Sequence, residues 1–389
     1  MKKTFLVIAV LLLAWASAWQ IADRPAPAGA PLFSERLQPQ RLQTLAIAAP
    51  AEALTFARFL RDGEPHLLLV QRYAAGQVSG IDLQQALPGS ANDPITLFNA
   101  QGYAALEQLR GAQTSVSADA LLLPFDGTAS QVAIGINYPE HGKEVALGDS
   151  FVFPKQTAAT PHNASVPARD YLLDYEIELG FVTLEPLKRG TPPEYMGLVL
   201  ASDYSDRAAL MRHVNLMDVG SGAGFTQGKS EPGFMPVGNL LVIPRDYQAF
   251  YQTLQLELWC NGEKRQEANP ARMTWGIQRI LSETFAREGR TWQWNGQPVA
   301  LPVDDGTIPP RTLFLSGTPA GVIYQKPALR QLFAGLSEAF FTLRWNQPQY
   351  IVEPFLRDAY RSGRFLQPGD TVVMRADRLG LISNRIVEQ

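Results

Sequence analysis

Glu176 and Glu178, two apart in DYEIEL, are a pair whose spacing suggests chemistry in this 389-residue chain. Alternate side chains of a strand share a face, so both carboxylates project together while Tyr175, Ile177 and Leu179 project to the other side. Adjacent carboxylates repel and raise one another's pKa, a penalty that a shared hard cation such as Mg²⁺ or Mn²⁺ removes. A solvated strand face is the plain alternative for such a pair. Asp203 ends the apolar run GLVLASD, with Arg207 four residues on. A third carboxylate there completes a set of three oxygen ligands with open positions for substrate and water. Asp206 competes for that place, and Asp203 reads equally well as a turn or helix N-cap residue.

A second group lies in GINYPEHGKE, Gly135 to Glu144. His141 and Glu144 share a face of a helical turn, where the carboxylate would orient the imidazole as a general base for water. An ordinary surface pair is the alternative. Lys229 sits in the Gly-rich stretch TQGKSEPG, read as a loop, and Gly317 and Thr318 form a turn directly after a strand. Such loops bring a cation and backbone amides to an anionic substrate, or serve as turns alone. His66, His162 and His213 have weaker neighbourhoods and read as structural. Cys260, the single cysteine, can form no intramolecular disulfide and lacks the neighbours of a zinc site.

The elements that must position these groups are mostly strands. TFARFL, HLLLVQRY and QVSGIDL, with turns at Asp62-Gly63 and Gly76, predict a small β-unit over Leu54–Leu83, and a short helix follows near Ala104–Leu109. VAIGIN, EIELGFV, GLVLASD, LQLELWC, LFLSG, TVVMRA and LISNRIV predict further strands, with a hairpin at Asn261-Gly262. Met273–Ala286 has helical core spacing through Ile277, Ile280, Leu281 and Phe285. The class is mainly β (α+β) rather than an alternating βαβ sheet.

Apolar residues make up 46% of the chain and charged residues 18%, which describes a globular protein; the net charge of −3 and the lack of Lys/Arg clusters interleaved with aromatics exclude a nucleic-acid footprint. Lys2 and Lys3 precede an apolar run, Phe5 to Trp15, followed by Ala16-Ser17-Ala18. That layout fits a cleaved signal peptide or an uncleaved membrane anchor, and both place the remaining chain outside the cytoplasm. Pro25 to Pro31 (PAPAGAP) reads as a stiff tether.

In order and wording, GINYPEHGKE, DYEIELG, ASDYSDR, TQGKS, WCNGEKRQ, SGTPAGV and PGDTV resemble the fumarylacetoacetate hydrolase family from Val132 to the C-terminus. The resemblance implies a fumarylacetoacetase C-terminal-like β-sandwich or roll over 126–389, a small N-terminal β-domain over 51–125, a linker over 25–50 and the export segment over 1–24. It implies Glu176, Glu178 and Asp203 as ligands of Mg²⁺ or Mn²⁺, with Asp203 preferred over Asp206. His141 and Glu144 match a catalytic dyad on a lid, Lys229 a substrate-site lysine, and Arg207 a substrate-positioning arginine; Gly317 and Thr318 line the same pocket. The implied function is metal-dependent hydrolysis of a carbon–carbon bond in a 1,3-dicarbonyl or acylpyruvate-type 2-oxo acid. Decarboxylation, hydration or isomerisation of a 2-oxo acid on the same metal is the alternative, and an exported binding protein without turnover is a third. Family members are often homodimers, so a homodimer is expected. Arg290–Pro310 and Ile323–Arg364 read as insertions beyond the family pattern.

Overall fold

The computed structural model describes residues 33–388 apart from 146, 216 and 344–348, with a few isolated positions before 33. The export segment expected over 1–24 and the tether lie outside the described residues, save those positions. Among the described residues, no helix is long and apolar enough to cross a membrane.

Fourteen strands carry the argument: β1 (Ala53–Arg61), β2 (Glu64–Ala74), β3 (Gln77–Asp82), β4 (Gln113–Ser117), β5 (Gln131–Gly135), β6 (Phe151–Lys155), β7 (Ile177–Thr183), β8 (Met196–Ser202), β9 (Leu241–Pro244), β10 (Leu256–Cys260), β11 (Glu263–Ala268), β12 (Leu313–Leu315), β13 (Thr371–Ala376) and β14 (Gly380–Val387). Ten form one sheet in the order β4-β3-β2-β1-β9-β8-β7-β12-β5-β6, antiparallel except where β12 runs parallel to β5. The N-terminal strands thus extend this sheet through the β1/β9 pairing, Phe56 opposite Leu241. A second sheet, β11-β10-β13-β14 with the two-residue strand Val166–Pro167, packs against β7 and β8. β7 and β8 are buried along their whole length, and read in sequence as near-continuous apolar runs. Buried apolar side chains of both sheets merge into one core.

The expected hairpin forms at Asn261-Gly262, with φ of 51° and 77°, the left-handed pair a tight two-residue turn requires. Residues 33–50, expected as linker, lie along the sheets: the Leu45 amide donates to Tyr73 O and the Leu37 amide to Gly262 O. The 323–364 insertion is helical. It contains a helix pair, Leu329–Phe341 and Gln349–Ser362, of which the second packs on the helix Arg207–His213. The other insertion includes a small hairpin, Thr291–Trp294 with Gln297–Ala300.

Candidate active site

Register alone brings the three acids together. Glu176 immediately precedes β7, and the β7/β8 pairing sets Ala201 opposite Glu178 and Ser202 opposite Ile177. One step further, the Asp203 amide donates to Glu176 O at 3.0 Å, so Asp203 leaves β8 beside the two glutamates. On the other flank of β7, β12 sets Leu315 opposite Gly180, and Gly317 follows with its amide 2.5 Å from Glu178 Oε2. Gly317 has φ of +93°, and a Cβ there would stand 2.7 Å from Asn137 Cβ, so glycine is required at the turn. Each of the three carboxylates offers an oxygen within 4.8 Å of the other two, and all three residues are buried.

Cations fill part of this cluster. The Lys229 ammonium donates to Glu176 Oε2 and Asp203 Oδ2, both at 2.7 Å, and Lys155 donates to Asp203 Oδ1 at 2.5 Å. Arg207 donates through Nε to Asp174 Oδ2 at 2.8 Å and through a terminal nitrogen to Glu176 Oε1 at 2.6 Å. Burial pushes the Glu176 carboxyl upward, but Lys229 and Arg207 outweigh it and hold the group at about 2. Glu178 goes the other way: burial, then the charges of Asp203 and Glu176, raise it well above the carboxylate range. Its Oε1 is buried and meets no hydrogen-bond donor among the described residues. Asp174, Glu176, Glu178 and Asp203 face three cations, Lys155, Arg207 and Lys229, and every one of these side chains is buried. The shortfall of positive charge therefore falls on Glu178. A hard divalent cation fits this donor set: it would meet the undonated oxygen and relieve the carboxylate repulsion.

A second trio of acids makes the contrast. Glu35, Glu257 and Glu267 also converge, but Lys264 sits among them, 2.7 Å from Glu35 Oε2, 3.0 Å from Glu257 Oε1 and in contact with Glu267. Glu35 is exposed, so that group is a solvated ion-pair cluster rather than a cation pocket.

His141 and Glu144 lie on α1 (Pro139–Val145), joined at 3.0 Å from Nδ1 to Oε2, with the histidine buried rather than in a surface pair. Glu144 also accepts the Gly321 amide at 3.2 Å, which ties the helix to the turn after β12. A Cβ at Gly321 would stand 1.9 Å from Arg265 O, so this approach too needs glycine. His141 acts electrostatically on Glu176, which places the dyad within reach of the acids. Asn137, just upstream, clamps the same segment by donating to Ser316 O at 2.8 Å and Trp275 O at 3.0 Å. Beside Glu144 opens a cavity of about 540 Å³ whose lining includes Tyr175, Gly321, Val322, Arg265 and Arg364.

Several sequence expectations change in detail. Lys229 lies at the end of a short helix, Phe225–Lys229, rather than in a loop, because Gly228 lets it pack where a Cβ would stand 2.6 Å from Leu210 Cβ. Asp206, the rival ligand, caps the helix Arg207–His213 by accepting the Ala208 amide at 2.9 Å. The core helix starts at Ile277 rather than Met273. Thr318 turns its hydroxyl to Ile177 O at 3.1 Å and accepts from Gln266 at 2.9 Å. Lys155, Asp174, Asn137 and Gln266 were not singled out in the sequence. Lys155 carried a signal: a lysine closing the fully buried strand FVFPK must find acceptors, and it finds Asp203, Lys229 O and Phe234 O.

Residues 130–387 match the family model of the fumarylacetoacetate (FAA) hydrolase C-terminal domain. The chain is 28% identical over 210 residues to 2,4-didehydro-3-deoxy-L-rhamnonate hydrolase of Sphingomonas sp., an overlap of 51% of this chain and 64% of that protein. It thus spans just under two thirds of that relative's length. It is 25% identical over 340 residues to the mitochondrial oxaloacetate tautomerase FAHD2B of Homo sapiens, covering 83% of this chain and 88% of the relative. Among solved structures, a fumarylacetoacetate hydrolase from Exiguobacterium antarcticum superposes with a TM-score of 0.56 at 18% identity, over 86% of this chain and 100% of that one. At that identity the likeness is one of fold. The chain belongs to the fumarylacetoacetate hydrolase family and is one of its enzymes.

Proposed function

We propose that Glu176, Glu178 and Asp203 hold a divalent cation, Mg²⁺ or Mn²⁺, and that the enzyme cleaves a carbon–carbon bond of an acylpyruvate-type 2-oxo acid or 1,3-dicarbonyl by hydrolysis. The observation that carries this reading is the buried Glu178 oxygen without a donor at the centre of three convergent carboxylates. Glu176, Glu178 and Asp203 would hold the cation, which when bound would supply Lewis acidity toward a 2-oxo acid.

The chain's own residues do the rest. Arg207 fixes Glu176 from one side and Lys229 from the other, so the carboxylate cannot rotate away. Lys229 stands where negative charge would grow and offsets it. With Nδ1 donating to Glu144, the His141 ring keeps its lone pair on Nε2, the tautomer a general base requires. That nitrogen takes a proton from water as the oxygen attacks the distal carbonyl; as the tetrahedral centre collapses the carbon–carbon bond breaks, its electron pair leaves as the enolate of the 2-oxo acid, and that carbon takes the proton back from His141, while the Gly321 amide holds Glu144 in place throughout. Arg265 and Arg364, in the cavity beside Glu144, suit a substrate whose far end is anionic.

A tautomerase on the same site is the second reading, favoured by the oxaloacetate tautomerase relative that overlaps 83% of this chain. Incubation of the metal-loaded protein with an acylpyruvate and with enol-oxaloacetate, followed by proton NMR, separates them. Release of pyruvate and a carboxylic acid supports hydrolysis. Accelerated enol–keto exchange without cleavage supports the tautomerase and overturns hydrolysis.

A further inference from the structure

The insertion after Val322 is fastened to the chain segment that leads into Glu176. Its first two amides, those of Ile323 and Tyr324, donate to Asp174 Oδ1 at 2.8 Å and Asp174 Oδ2 at 3.0 Å. Asp174 Oδ2 also takes Arg207 Nε at 2.8 Å, and the same guanidinium reaches on to Glu176 Oε1 at 2.6 Å. The chain leaving the insertion returns to the same place, where the Leu366 amide donates to Leu173 O at 3.0 Å. Entry and exit thus grip Leu173 and Asp174, just ahead of Glu176.

Between these two fastenings stands one side chain. The Tyr324 ring lies over the Arg207 guanidinium, with 5.4 Å between the guanidinium carbon and the ring centroid. Two contacts hold the ring there: its hydroxyl donates to Met211 Sδ at 3.6 Å, and Phe355 meets it edge-on at 5.7 Å and 68°. Met211 belongs to α2 (Arg207–His213), and Phe355, buried, belongs to α3 (Gln349–Ser362), which packs on α2. An aromatic face attracts a guanidinium more strongly as water is excluded, and stacking leaves the in-plane N–H donors free for carboxylates. Asp174 and Glu176 take those donors. A group that orients a metal ligand from one layer out sets much of the affinity of the site.

We propose that Tyr324 is a positioning residue for the cation site: by holding the Arg207 guanidinium against Asp174 and Glu176 it presets Glu176, so that the insertion sets how tightly a divalent cation binds. The inference rests on the reading of Glu176, Glu178 and Asp203 as the ligands of that cation.

The test strips the full chain with chelator, removes the chelator and titrates Mn²⁺ into the parent, Tyr324→Leu, Tyr324→Phe and Leu356→Ala, with free ion read by electron paramagnetic resonance. Tyr324→Leu removes the ring and keeps an apolar side chain. Leu356 is buried on α3, and its truncation loosens the insertion while the ring stays. Mn²⁺ affinity is expected to fall roughly tenfold or more in Tyr324→Leu and to recover in Tyr324→Phe. In Leu356→Ala it is expected to hold despite a lower thermal midpoint. A Tyr324→Leu protein that binds Mn²⁺ as tightly as the parent overturns the inference and leaves the cation reading standing. An equal loss in Leu356→Ala overturns it too, by tracing the affinity to the stability of the insertion, and an equal loss in Tyr324→Phe removes the role of the ring. A parent that binds no Mn²⁺ overturns the cation reading and this inference with it.

Discussion

Glu178 receives the Gly317 amide on one carboxylate oxygen at 2.5 Å and, among the described residues, no donor on the other. Half-satisfied, buried and flanked by Asp203 and Glu176, it is the acid of the cluster whose charge is least supported by the protein itself. The replacement Glu178→Gln removes that charge and retains the shape. The expected outcome is a thermal midpoint in chelator equal to or above that of the parent, together with at least a tenfold loss of Mn²⁺ affinity by calorimetry. Lower stability in chelator would show that Glu178 is compensated by something other than a cation.

Arg207 is the strut of the site. Arg207→Ala leaves Asp174 and Glu176 buried with one cation fewer, a change that costs roughly 3–5 kcal/mol in urea unfolding. Arg207→Lys recovers only part, because one ammonium cannot reproduce the fork that spans both acids. Equal stability of Arg207→Lys and parent would contradict the strut role.

For the dyad, Glu144→Gln keeps the contact to Gly321 and loses the charge that orients His141. Turnover is expected to fall by about 10²–10⁴ in His141→Ala and by less in Glu144→Gln. Metal affinity stays unchanged in both, since neither side chain ligates. A loss of metal binding in His141→Ala would remove it from the role of base.

His162 gives a stability prediction apart from the site. Burial pushes its imidazole from 6.5 down to about 4, and Nδ1 is buried without a partner among the described residues. Between those values the unfolded chain binds a proton that the folded chain refuses, so stability rises with pH in that window and is lost as pH falls through it. The drop from pH 7 to pH 4 should reach about 3 kcal/mol or less, and His162→Gln should flatten that component of the curve. An unchanged pH dependence in the variant would show that the imidazole is not responsible.

The strands and acids of this site were legible because their signals are local. An apolar run ending in Asp203, and an alternation carrying Glu176 and Glu178, state both element and facing. The hairpin at Asn261-Gly262 is equally local. What joins them is not. Lys155 reaches Asp203 across 48 positions, and Asn137 reaches Ser316 across 179, so no window of sequence contains either contact. Lys229 was read as loop because Gly228 weakens helix propensity, yet that glycine is what permits the helix to pack on Leu210. The 323–364 segment was read only as an insertion beyond the family pattern, and its two helices, Leu329–Phe341 and Gln349–Ser362, were not anticipated. Arg207 was expected at the substrate; its guanidinium is occupied by Asp174 and Glu176, partners visible only once the strands are paired.

Metal-dependent turnover decides whether Glu176, Glu178 and Asp203 hold a catalytic cation. The parent and Glu178→Gln proteins are stripped with chelator and assayed for consumption of an acylpyruvate and of oxaloacetate while Mg²⁺ or Mn²⁺ is titrated back. Activity that returns with metal in the parent and not in the variant is the predicted result. Activity in chelator equal to that with metal, or full recovery in the variant, would contradict it.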